Sequence, residues 1–164
     1  MSAVEVSVVH VDTVGLRPEH LRPGYVGLRP KLRADGAFAD FVVEEIPAYE
    51  PCGEGPFHYL WVEKEDVSGP KLVREVARRL GLPPGEVGCA GMKDRRAITR
   101  QWLSIPWREG RDLHAIDGPL GDSGRIQLLD VQRHGNKLKT GHLKGNSFTI
   151  YLRERDPATD AATA

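Results

Sequence analysis

The amino-acid sequence predicts a mixed α+β domain, a mainly antiparallel sheet with one clear helix. Two observations lead there. Short runs of β-branched and aromatic residues recur along the chain, punctuated by Gly and Pro. One segment, residues 69–80, spaces its apolar side chains as a helix does. Size and composition agree: 164 residues, 40% hydrophobic and 28% charged, suffice for one domain with a buried core.

Residues 1–29 lack a regular pattern and are broken by Pro18, Pro23 and Gly24, so they read as an arm or a loosely packed edge. A short strand can begin around PKLRADG. FADFVVEEIP is a clearer strand, with Phe41, Val42 and Val43 ahead of acids and Pro47 closing it. After the loop EPCGEGP, FHYLWVEKED is a long aromatic strand suited to burial on both faces. In GPKLVREVARRL, Pro70 suits a first helical turn. Leu72, Val73, Val76, Ala77 and Leu80 form one stripe, and Gly81 offers a left-handed cap. EVGCAG is a short strand, the KDRR stretch a loop, and AITRQWLSIP another strand. A turn-rich or helical connection leads to the strand RIQLLDVQRHG and then to NSFTIYLRER, the last. DPATDAATA has no core face and reads as a tail or an unfinished continuation.

Lys plus Arg and Asp plus Glu balance at 23 each, so bulk charge points to no partner. The distribution says more. Between Asp40 and Asp66, eight acids (Asp40, Glu44, Glu45, Glu50, Glu54, Glu63, Glu65, Asp66) face one base, Lys64. Between Arg133 and Phe148 stand Arg133, Lys137, Lys139, Lys144 and two histidines, with no acid. A concentrated basic stretch can bind a polyanion from a neutral protein, because the local field decides. Cys52 and Cys89 give neither a disulfide framework nor a metal-ligand spacing and read as reduced. No run is long and apolar enough to span a membrane and no signal-peptide pattern opens the chain, so the expected location is cytoplasmic.

Familiar catalytic motifs are absent: no His-Glu-x-x-His, no Walker loop, no Gly-x-Ser-x-Gly elbow. Two stretches remain. GCAGMKDRRAITRQW sets Asp94 between Lys93 and Arg95, with Arg96 and Arg100 close behind. Flanking cations favour the carboxylate over the acid, which suits a nucleophile or base better than a proton donor. By itself the pattern is more often a solvated charge run. RHGNKLKTGHLKGNSFTI interleaves cations with glycines ahead of Asn146 and Phe148. It can follow a phosphate backbone, with Asn146 as donor and acceptor and Phe148 as a stacking face. Equally, it can be a basic hairpin turning at Gly141 and Gly145 with Phe148 in the core.

Together, AGMKDRRAITRQW and NKLKTGHLKGNSF resemble the TruD family of tRNA pseudouridine synthases, and DFVVEEIP is similar to a third family element. The resemblance covers roughly residues 33–155. It implies part of a pseudouridine-synthase catalytic domain over residues 30–155, with 1–29 an arm and 156–164 a tail or truncated continuation. It further implies an isomerase that converts a uridine of tRNA to pseudouridine without cofactor or metal. Asp94 matches the nucleophile, Asn146 the asparagine near the target base, Phe41 an aromatic bordering the pocket, and Phe148 the motif's own aromatic. Arg33, or Lys31, stands nearest to a basic residue expected to pair with the aspartate. Lys93, Arg95, Arg96, Lys137, Lys139 and Lys144 are the expected phosphate contacts. Family members are about twice as long, so this chain is expected to lack a second half, to have it as a partner, and to be impaired alone. The competing expectations are a non-catalytic RNA-binding module and an inactive fragment.

Overall fold

The computed structural model describes residues 6–12, 14 and 38–153. Within them, eight strands form one sheet: β1 (Val6–Asp12), β2 (Phe41–Pro47), β3 (Phe57–Glu65), β4 (Gly88–Cys89), β5 (Ile98–Pro106), β6 (Gly118–Leu120), β7 (Gly124–His134) and β8 (Leu143–Arg153). Helix α1 (Gly69–Leu80) lies between β3 and β4. The spatial order is β1-β8-β2-β5-β3-β7-β6, with β4 beside β5. Only β2 and β5 pair in parallel; every other pair is antiparallel. The mixed, mainly antiparallel sheet with one helix is the architecture expected from the sequence.

β3 and β5 are the middle of the sheet, in continuous register from Phe57↔Pro106 to Glu65↔Ile98. Because side chains alternate across a strand, β3 has two different faces. Leu60 and Val62 join Leu103, Ile105, Ile126 and Leu128 beneath Leu72, Val76 and Ala77 of α1. Tyr59 and Trp61 point the other way, into a second cluster with Trp102, Ala90 and Leu138. Burial on both faces explains why this strand is aromatic and apolar at consecutive positions rather than alternating.

The helix ends where its sequence ends it. Gly81 takes φ 65°, ψ 38°, a left-handed conformation open to glycine at little cost, and Leu82 N–H donates to the Ala77 carbonyl (2.8 Å). Glu75 pairs with both Arg78 and Arg79 (2.6 Å each), and Arg79 reaches the carbonyls of Ile116, Asp117 and Pro119. The expected turn-rich connection is thereby tied to the helix through its short 3-10 turn, Leu113–Ile116.

Two segments whose sequence reading left alternatives open take a definite form. Val6–Asp12, within the expected arm, is an edge strand paired along its whole length with β8. Residues 133–150 are not a hairpin. β7 belongs beside β3 and β8 beside β2, so the chain between them crosses the Tyr59–Trp102 face. Leu138 anchors that crossing: its side chain is buried, and its amide donates to Ser104 Oγ (2.8 Å). A local glycine signal does not report which distant strands pair.

Gly88 makes the crossing possible. A Cβ there would lie within 3.0 Å of both the Leu138 carbonyl oxygen and Ser104 Oγ, whereas one at Gly85 would meet nothing within 4 Å. Gly88→Ala is expected to lower unfolding free energy by about 1–3 kcal/mol in urea titrations, with Gly85→Ala within about 0.5 kcal/mol of the parent.

Candidate active site

Residues 90–97 leave β4 and return as a loop to the start of β5. Four attachments fix this loop. Gln101 Nε2 donates to the Gly91 carbonyl (3.3 Å), and Lys93 Nζ pairs with Glu45 of β2 (2.9 Å). Lys64 Nζ, at the end of β3, donates to the main-chain carbonyl of Asp94 (2.6 Å). Arg95 Nε pairs with Asp66 (2.9 Å). Asp66 takes φ 47°, a left-handed conformation that Asp tolerates, and also accepts from the Ser123 hydroxyl. Asp94 thus has an immobilised backbone and an exposed side chain.

The groups beneath the loop are polar and deeply buried. Lys64 is 1% exposed, Glu45 4% and Lys93 7%, beside buried Thr99 and Gln101. Burial lowers the Lys64 ammonium to about 8, with the charge of Asp94 opposing that shift. Burial likewise raises the Glu45 carboxyl, and Lys93 counters it through charge and a hydrogen bond. Asp66 is lowered, first by the Ser123 hydroxyl and then by Arg95.

Strand alternation gathers the aromatic residues on the same side. Phe41, Val43 and Glu45 share one face of β2. β8 lies antiparallel to it with Ile150 opposite Phe41, Phe148 opposite Val43 and Asn146 opposite Glu45. The Phe41 and Phe148 rings stack, with centroids 5.9 Å apart and planes 9° from parallel. Val43 pairs with Thr99 across β2 and β5, and Thr99 with Lys64 across β5 and β3. Phe41, Asn146, Phe148 and the Asp94 loop therefore belong to the helix-bearing face, around the Glu45–Lys93 pair.

The expected phosphate contacts divide. Lys93 is set apart from the others: its ammonium is buried against Glu45. Arg95 is exposed but paired with Asp66, while Arg96, Lys139 and Lys144 are exposed. The Lys137 ammonium bonds the Gly85 carbonyl. Lys137 and Lys139 flank Leu138 on the opposite face of the sheet from Asp94, so the basic stretch is not one continuous surface. Arg33 lies outside the described residues. Sequence reasoning missed Lys64, the cation that holds Asp94. Its signal was a lysine continuing the buried row Leu60, Val62, two residues further along β3.

Residues 26–164 match the family described as tRNA pseudouridine synthase D (TruD). The chain is similar to a tRNA pseudouridine synthase D of Anaeromyxobacter dehalogenans (strain 2CP-1), 46% identical over 117 residues, which are 71% of this chain and 32% of the relative. A tRNA pseudouridine synthase D of Thermus thermophilus is 46% identical over 114 residues, 70% of this chain and 31% of the relative. The chain thus spans about a third of the length of these relatives. A crystal structure titled putative tRNA pseudouridine synthase D (TruD) from Methanosarcina mazei superposes with TM-score 0.58 at 29% identity. The superposition covers 75% of this chain and 28% of that one.

Glu45→Gln leaves a buried ammonium without its counter-charge and is expected to cost about 3–5 kcal/mol in urea unfolding. Glu45→Gln with Lys93→Met, which removes both charges, is expected to cost less than the single change. Lys64 gives a pH signature. Between about 8 and the ordinary 10.5, the unfolded chain binds a lysine proton that the folded chain has shed. Lys64's contribution therefore makes stability rise with pH across that window, the penalty being fully present below it. Lys64→Met is expected to remove this rise from urea midpoints measured along a pH series.

Proposed function

This chain belongs to the TruD family of tRNA pseudouridine synthases, and from that membership we propose that it isomerises a uridine of tRNA to pseudouridine, with Asp94 as nucleophile. One observation carries the reading: an exposed aspartate on a loop pinned by four buried or paired attachments, on the same sheet face as Asn146 and the Phe41–Phe148 stack. A carboxylate on so fixed a backbone can be presented to a base without rearranging.

The reaction breaks the bond from ribose C1′ to uracil N1, turns the base, and joins C1′ to C5. The proton lost from C5 is balanced by one gained at N1, so no oxidant or reductant enters. The uridine first leaves its stack, at a cost of a few kcal/mol. Phe41 and Phe148, both half-buried, offer aromatic faces that replace part of the lost stacking. Asn146 supplies a donor and an acceptor for the base edge or ribose. Asp94 attacks C1′ or uracil C6, or abstracts a proton; its exposed carboxylate suits each of these.

Lys64 serves as a positioning residue. Its hydrogen bond to the Asp94 carbonyl fixes the backbone from which the carboxylate projects, and displacement of a catalytic group by about 1 Å costs on the order of a hundredfold in rate. Arg96, Lys139 and Lys144 are the exposed cations proposed to meet phosphates, which position RNA without reading its sequence. The proposal includes low turnover by the 164 residues alone, because the relatives devote about two thirds of their length to residues outside this match.

Asp94→Asn keeps shape and removes charge. In a form that turns over, it is expected to abolish pseudouridine formation in tRNA, read by pseudouridine mapping, while tRNA affinity stays level or rises slightly. A variant that folds, binds tRNA and isomerises at the parental rate would remove Asp94 from the chemistry. Binding without turnover by every form of the parent would favour an RNA-binding module instead.

A further inference from the structure

The far end of β3 carries a second polar cluster. His58 is 9% exposed and lies six residues from Lys64, which places it about 20 Å along the strand from the Asp94 loop. The Arg108 amide donates to His58 Nε2 (3.4 Å), so in the neutral ring the proton sits on Nδ1. Nδ1 is buried and, among the described residues, has no partner. Arg111 Nη1 is in the same condition, and Arg111 stands near enough to His58 for their charges to repel. Two buried donors on neighbouring residues are thus without an acceptor among the described residues.

Nearby groups add positive charge. Arg133 also repels a charged His58, and its guanidinium donates to the Gly55 carbonyl (2.6 and 3.0 Å) while lying 4.6 Å from the centre of the Trp107 ring. Trp107 is 41% exposed and its ring centre is 6.4 Å from that of His58. Among the described residues, no carboxylate pairs with Arg108, Arg111 or Arg133. Asp112, next to Arg111, is turned to the His114 amide (3.1 Å). Burial, then the charges of these two arginines, lowers His58 below the ordinary imidazole value.

Buried donors left unpaired cost free energy, and an anionic oxygen supplies the missing acceptor. We infer that His58, Arg111 and Arg133 form a subsite for a phosphate of the RNA backbone, with Trp107 at its rim as a stacking face, at the end of the sheet remote from Asp94. The RNA assignment rests on the function proposed above; the anion site rests on the cluster alone. Its role is to hold the substrate at a second point, which fixes orientation without sequence readout.

The test uses the 164-residue chain with 15N-labelled histidine, inorganic phosphate as the first probe and tRNA as the second. Phosphate is expected to shift the His58 Nδ1 resonance saturably, and Arg111→Gln to abolish that response. Arg111→Gln is also expected to reduce the slope of log tRNA affinity against log salt by about 0.7–0.9, the loss of one phosphate contact. A His58 resonance indifferent to phosphate would overturn the site, and the wild-type titration decides this even if Arg111→Gln fails to fold. A phosphate response combined with an unchanged tRNA slope would overturn the RNA assignment. Neither readout depends on Asp94, so failure of the proposed chemistry would show separately, in the Asp94→Asn assay.

Discussion

The Lys93–Glu45 ion pair is the contact on which the arrangement of the site depends. Glu45 belongs to β2, the one strand that meets β5 in parallel, and Lys93 to the loop that returns the chain into β5. Glu45 Oε1 also takes the Trp102 amide at 3.4 Å. Asn146 of β8 stands opposite Glu45 in the strand register. One side chain therefore relates three segments that lie far apart in sequence. Such a pair adds little net stability, since desolvating both charges offsets most of their attraction. Its effect is on register. A slip of β2 by one residue would move Glu45 to the other face and leave a buried ammonium alone.

Lys64 extends the same logic to Asp94. A lysine at 1% exposure is costly unless its donors are used, and here one goes to the main-chain carbonyl of Asp94, whose side chain is exposed. The cations flanking Asp94 in sequence act elsewhere: Lys93 on Glu45 and Arg95 on Asp66. They hold the loop rather than surround the carboxylate. Thr99 and Gln101 lie beneath that loop. Both are buried, and the Gln101 amide holds the Gly91 carbonyl.

The sheet separates two kinds of work. Its helix-bearing face carries the Asp94 loop, and the opposite face carries the Tyr59–Trp102 cluster with the β7–β8 crossing. That second face is tied by hydroxyl and imidazole groups: Tyr49 Oη meets His142 Nδ1 at 2.7 Å, and Tyr59 Oη donates to the Asn136 carbonyl at 3.0 Å. These bonds fix how the chain enters β8, and so the register that places Phe148 beside Phe41. A packed crossing on one face thereby sets an aromatic pair on the other.

Much of this was legible in the sequence because it is local. Helical spacing and Gly81 placed α1, and strand composition placed β2, β3, β5 and β7, since propensity and turn chemistry act over a few residues. The motif around Asp94 and the one ending at Phe148 marked candidate residues, because their resemblance to a family lies in residue order, which needs no fold. Tertiary structure alone decided the rest. It determined that Val6–Asp12 is a strand, since an edge strand of weak pattern is held by pairing with β8. It turned Lys93 inward to Glu45, brought Lys64 to Asp94, and divided the basic stretch between two faces. Each depends on which strands become neighbours. That choice is made by long-range packing and by the cost of leaving buried charges unpaired, and neither is visible in a run of adjacent residues.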